Sequence, residues 1–110
     1  MKKNVMDLCL KDCCEVPLQI MQVCCKAIDL HREFAAKGIA RAISDVGCGV
    51  VCCKAALQAA SLNVFINTKS MEDRVLAEKC NTLAKDMLER YTTEADKIFA
   101  DVLVRFDISK

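Results

Sequence analysis

Cys48 and Cys52 stand four residues apart in Gly47-Cys48-Gly49-Val50-Val51-Cys52-Cys53-Lys54-Ala55-Ala56, which runs on unbroken into Leu57-Gln58-Ala59-Ala60-Ser61-Leu62. On a helix that spacing stacks two thiols on one face, with Cβ atoms about 5–6 Å apart. Cys9 and Cys13 repeat it. Soft thiolates select Cu(I), Zn(II) or iron–sulfur clusters. Compact zinc sites place ligand pairs on loops or turns, and iron–sulfur proteins favour Cys-x-x-Cys runs, which this sequence lacks. Cu(I) is satisfied by two or three thiolates, so a row of inward thiols along a helical interior could hold several ions.

Nine cysteines in 110 residues would suggest a disulfide framework in a secreted protein. The count is odd, three pairs are adjacent (Cys13-Cys14, Cys24-Cys25, Cys52-Cys53), and three Gly with one Pro are too few for a loop-rich scaffold. Met1-Lys2-Lys3 starts like an export signal, but Asp7, Lys11 and Asp12 interrupt any apolar segment behind it. No run reads as the roughly 18 apolar residues that a membrane span needs. The expectation is a reduced, soluble, cytoplasmic chain with no membrane partner. A hydrophobic share of 54% supplies one core, and the length suits one domain over residues 1–110. A net charge of +1, one Tyr and no Trp leave little for base stacking or phosphate binding, so no nucleic acid is expected.

The elements that must position the thiols scan at the helical period throughout. A short helix is expected from about Asn4 to Glu15, with Asn4, Asp7, Lys11 and Glu15 wet, Cys9 and Cys13 inward, and Cys14 on the polar side. Pro17 ends it or opens the next. A second helix, about Leu18 to Lys37, turns Ile20, Cys24, Ala27, Ile28, His31 and Ala35 inward, with Cys25 on the flank and Gly38 as its stop. A third, from about Ile39 or Ser44 to Ile66, has Lys54, Gln58 and Ser61 wet. Its Cys52, Ala56, Ala59 and Val64 lie opposite, Cys48 near that inner face and Cys53 to one side. Asn67-Thr68-Lys69 is a loop, and Ser70 with Asp73 resembles a capping box for a fourth helix to Arg90 burying Leu76, Cys80, Leu83 and Met87. Thr93 with Asp96 caps a last helix whose Ala95, Ile98, Phe99, Val102, Leu103 and Phe106 form a hydrocarbon face. The fold expected is all-α, an antiparallel four-helix bundle with a short extra N-terminal helix.

The run from Cys48 to Ala56, the Thr68-Lys69-Ser70 turn and Ala77-Glu78-Lys79-Cys80 resemble the second half of the cysteine-rich four-helix bundles, a family that includes the cytosolic copper-storage proteins. Cys9-Leu-Lys-Asp-Cys13 and Cys24 are similar to a thinned first half. The resemblance covers most of the chain in layout and short pieces in residues. It implies Cu(I) storage or buffering, with Cys9, Cys13, Cys24, Cys48, Cys52 and Cys80 as ligands and Cys25 and Cys53 joining through small helix rotations. His31, two turns from Cys24, would guard an entry, although a lone inward His is more often a core residue. Family members carry more cysteines, on every helix, whereas here the last helix has none.

Two other readings stand beside copper storage. Free cysteines pack as small hydrophobes, so the chain could be a structural or interaction bundle, its last helix offering a homo-oligomer surface. Alternatively an adjacent pair such as Cys52-Cys53 could serve a redox or zinc sensor. No Glu-x-x-His pair suggests a di-iron site, and no Ser–His–Asp or Cys–His–Asn set stands out, so no enzyme is expected.

Overall fold

The computed structural model describes residues 2–37 and 42–106, with side chains from Asp7 onward. Three long helices account for nearly all of them: α1 (Lys2–Lys37), α2 (Ile43–Lys69) and α3 (Arg74–Arg105). No strand occurs among the described residues. The all-α class is as expected, but the four-helix bundle with a short extra helix is not: each of two expected pairs of helices is one continuous helix. Gly38 and Ile39, and the side chains of Val5 and Met6, lie outside the described residues.

The first fusion runs through Pro17, which sits inside α1 and is buried. A proline within a helix removes one N–H and crowds the carbonyl four residues back, at a cost of about 3 kcal/mol. That carbonyl belongs to Cys13, and the Asn67 Nδ2 amide of α2 donates to it at 3.4 Å. Tertiary structure thus supplies a partner that the helix itself withholds, and the helix continues.

The second fusion runs through Thr92 and Thr93. Neither caps a helix start. Thr92 Oγ1 donates to Leu88 O at 2.5 Å and Thr93 Oγ1 to Glu89 O at 2.9 Å, the inward-folded bonding that lets threonine sit mid-helix.

The short α2–α3 connection is held from three sides. Asp73 is the N-cap of α3 and accepts from Leu76 N at 3.1 Å, in place of the expected start at Ser70. The Asp7 carboxylate of α1 accepts from Glu72 N and Asp73 N at 3.0 and 2.8 Å. Arg74 Nη1 donates to Thr68 O and Met71 O, satisfying carbonyls at the end of α2.

The core is a single stripe along each helix. On α1 it passes through Cys14, Met21, Ile28 and Ala35, seven residues apart. Against these pack Val50, Leu57 and Val64 of α2 and Ala77, Ala84, Ile98 and Val102 of α3. Gly47 lets α2 and α3 approach closely, since a Cβ there would stand 3.1 Å from Val102 Cγ1.

Several expected orientations are reversed. Cys14 is buried and Cys9 and Cys13 are exposed; Ser61 is buried and Cys52, Ala56 and Ala59 are exposed. Leu83, Phe99, Leu103 and Phe106 are also exposed. The physical reason lies in the polar marks. Lys54 is not a wet-face residue: its amine spans the α2–α3 seam to Asp96 Oδ1 at 2.7 Å. Ser61 Oγ is satisfied by Gln58 O at 2.6 Å within its own helix. With those two removed, α2 is apolar nearly all round, and by length and composition it could cross a membrane, contrary to the hydropathy expectation. In this fold its buried positions pack against α1 and α3.

Candidate functional site

The nine thiols do not line one interior channel. Cys14 and Cys80 meet under the C-terminal half of α2, where Cys14 Sγ lies 3.6 Å from Val64 O. Burial, then the neighbouring Cys80 and Cys13, push the Cys14 thiol up to about 11. Cys24 and Cys25 are buried and Cys53 is half-buried beside Cys24. Burial raises all three, Cys25 to about 11 with Cys24 and Asp29 adding to the effect and Arg90 opposing it. Thiols held in this way stay protonated near neutral pH, which makes them poor ligands and poor nucleophiles.

The remaining expected ligands, Cys9, Cys13, Cys48 and Cys52, are exposed on the outer sides of α1 and α2. Among the described residues no three His, Cys, Asp or Glu side chains converge as a metal site would require. Sequence reasoning missed Cys14, whose only signal was its seven-residue spacing to Met21, Ile28 and Ala35.

His31 is the single histidine of the chain. Its Nδ1 lies 2.6 Å from Ala27 O. A carbonyl only accepts, so Nδ1 carries a proton, and in the neutral imidazole the lone pair is on Nε2. That nitrogen rests against Gly49 of α2, where any Cβ would overlap the imidazole. Phe34 holds the ring from the other side in an edge-on contact, with centroids 6.3 Å apart. Glycine at 49 weakens the helix by about 1 kcal/mol relative to alanine, and here it makes room for the ring. The imidazole is half-buried, oriented and within reach of solvent.

A separate cleft of about 370 Å³ lies on the α1–α3 side, lined by Arg32, Glu94, Lys97, Asp101 and Arg105 among others. Arg32 is already engaged there, 2.9 Å from Glu94 Oε1 and 3.1 Å from Asp29 Oδ1. Nearby Tyr91 donates to Asp29 Oδ2 at 3.0 Å. Successive helical residues turn by about 100°, so Arg32 and His31 look out on different sides of α1 and the cleft is not part of the imidazole's surroundings.

Comparison with known proteins decides the family. The family profile described as formiminotransferase-cyclodeaminase matches residues 1–86. The chain belongs to this family. A methenyltetrahydrofolate cyclohydrolase of Methylorubrum extorquens is 43% identical over 70 residues, which is 64% of this chain and 34% of the relative. The match thus spans about a third of that relative's length.

Membership of the formiminotransferase-cyclodeaminase family overturns the copper-storage resemblance, and with it Cu(I), or Zn(II), as cofactor and metal ions as partners. Membership of a family named for an enzyme likewise overturns the structural-bundle and redox-sensor readings and the expectation of a non-enzyme. Short Cys-x-x-x-Cys pieces misled because any amphipathic cysteine-rich helix generates them. On these helices the pairs lie on the outer face.

Proposed function

We propose that this chain takes part in folate one-carbon chemistry as a hydrolytic ring-opening site, with His31 as its general base. The reading rests on family membership, on a relative named for hydrolysis of methenyltetrahydrofolate, and on one observation: a half-buried imidazole whose tautomer is set by Ala27 O and whose Nε2 faces Gly49 of α2. In the proposed step, water adds to the methenyl carbon bridging two nitrogens, and its proton passes to Nε2. The new C–O bond forms, the added hydroxyl releases its remaining proton to solvent as one C–N bond breaks, and the proton held on Nε2 passes to the departing nitrogen, leaving a formyl group on the other. Residues 1–110 act in this reading as one helical unit in the cytoplasm. Positioned acid–base groups of this kind contribute about 10²–10⁴-fold.

The test is hydrolysis of methenyltetrahydrofolate by the purified chain, followed by the loss of its absorbance. Turnover above the uncatalysed rate is expected, with kcat/KM falling about 100-fold in His31→Gln. Gly49→Ala should show a similar fall with undiminished helicity by circular dichroism, because the added methyl group evicts the ring without touching its chemistry. A chain that turns over no folate, or a His31→Gln variant as active as the parent, overturns the assignment.

A further inference from the structure

The molecule is a slab of 63 × 20 × 15 Å, and α1 and α3 run parallel along one side of it. Three contacts fix their register: Asp7 accepts from Glu72 and Asp73, Tyr91 donates to Asp29, and Arg32 donates to Glu94. The Arg32–Glu94 bridge stands at one end of the cleft of about 370 Å³ between these helices. Beyond it the α1 wall is Ala35 and Ala36, whose small side chains leave the space that larger ones would fill. On α3, Ile98, Asp101 and Arg105 follow Glu94 at steps of four, three and four residues, which keeps them on one helix face. Ala35 and Ile98 are buried and give the cleft an apolar floor. Its volume and its lining, apolar surface with a few polar groups, are those of a small-molecule pocket.

The charges that line this cleft do not cancel. Three cations, Arg32, Lys97 and Arg105, stand with two carboxylates, Glu94 and Asp101. Arg32 is already engaged, by Glu94 at 2.9 Å and by Asp29 at 3.1 Å. Lys97, Asp101 and Arg105 have no ion pair or hydrogen bond among the described residues. Lys97 and Arg105 lie four residues to either side of Asp101, so the three share a face and sum to +1. Their long stems let both cationic heads swing over the cleft. Arginine offers a planar fork that matches a carboxylate, and lysine a mobile point charge. Both helices end close by, at Lys37 and Arg105. The negative ends of their dipoles oppose a second negative charge on anything bound there.

We propose that this cleft binds a small organic monocarboxylate, its head between Lys97 and Arg105 and its hydrocarbon body on Ala35 and Ile98. One unit of excess positive charge takes one carboxylate. The floor then rewards the body, each fully buried methylene adding up to about fourfold in affinity. A dianion such as phosphate finds no second free cation once Asp101 is counted, and has nothing to lay on the floor. The hollow of about 330 Å³ on the other side of α1, between Val16, Ile20 and Val23, has no charged group in its lining and so does not select an anion. The inference does not rest on the folate reading, and the cleft is separate from His31.

Octanoate is the probe, titrated into the whole chain and followed by the NMR shifts of its methyl groups. Saturable shifts are expected at Ala35, Ile98 and Val104, with Val23 of the uncharged hollow unmoved. Octan-1-ol, which has the same body and no charge, should bind about tenfold more weakly, and so should inorganic phosphate. Lys97→Met with Arg105→Met should weaken octanoate about tenfold, the loss that follows when hydrogen bonds to a charged group are removed. Ala36→Trp should abolish the shifts by filling the cleft. Both variants should keep their helicity by circular dichroism, since all three positions are exposed. Shifts that are absent at millimolar octanoate, or that centre on Val23, overturn the proposal. So does octan-1-ol or phosphate binding as tightly as octanoate, or a paired methionine variant that binds octanoate as the parent does.

Discussion

Among single residues, His31 and the buried thiols respond to opposite demands. His31 is kept near water with one nitrogen committed to Ala27 O, whereas Cys14 and Cys25 are kept dry and protonated. The thiols leave a signature in stability. Each has a folded-state value of about 11, against 9.0 when free. Below pH 9 both states bind the proton and the thiols have no effect on the pH dependence. Between about pH 9 and 11 the unfolded chain gives up protons that the folded chain keeps, so stability falls as pH rises. Urea midpoints should therefore drop across that window, and less steeply in a Cys14→Val, Cys25→Val variant. The cysteine count and the single histidine were legible in the sequence. Which thiols were dry was not, because Cys13 and Cys14 are neighbours of identical polarity and only packing against Val64 and Cys80 separates them.

For whole helices, local signals and tertiary contacts compete. Pro17 and Thr93 both read as helix boundaries, and both lie within helices. At Pro17 the competitor can be named: Asn67 Nδ2 bonds the carbonyl that the proline orphans. A double-mutant cycle checks this. Asn67→Ala should cost about 1 kcal/mol more in the parent than in a Pro17→Ala background, where the restored backbone N–H at position 17 can take over the Cys13 carbonyl. Equal costs in both backgrounds would show that Asn67 acts only through its own turn, where it also bonds Asn63 O. Asp73, expected as the inner partner of a capping box begun at Ser70, is itself the N-cap, so the start lies three positions later.

In the molecule as a whole, two apolar stripes on α1 explain both the misplaced faces and the slab shape. One stripe is the core, through Met21 and Ile28; the other, through Ile20 and Leu30, is exposed. Helical periodicity reports both with equal strength.

The sequence by itself determined that the chain is helical, because the 3.6-residue period, the scarcity of Gly and Pro and the absence of strand alternation all act locally. It also held the thiol spacings and the lone histidine. Only tertiary structure decided how many helices there are, since the partner of Cys13 O lies 54 residues away. It alone decided which face of each helix is core, since that depends on what packs opposite. The ring of His31 has its place only because folding sets a residue without a Cβ, Gly49, against it.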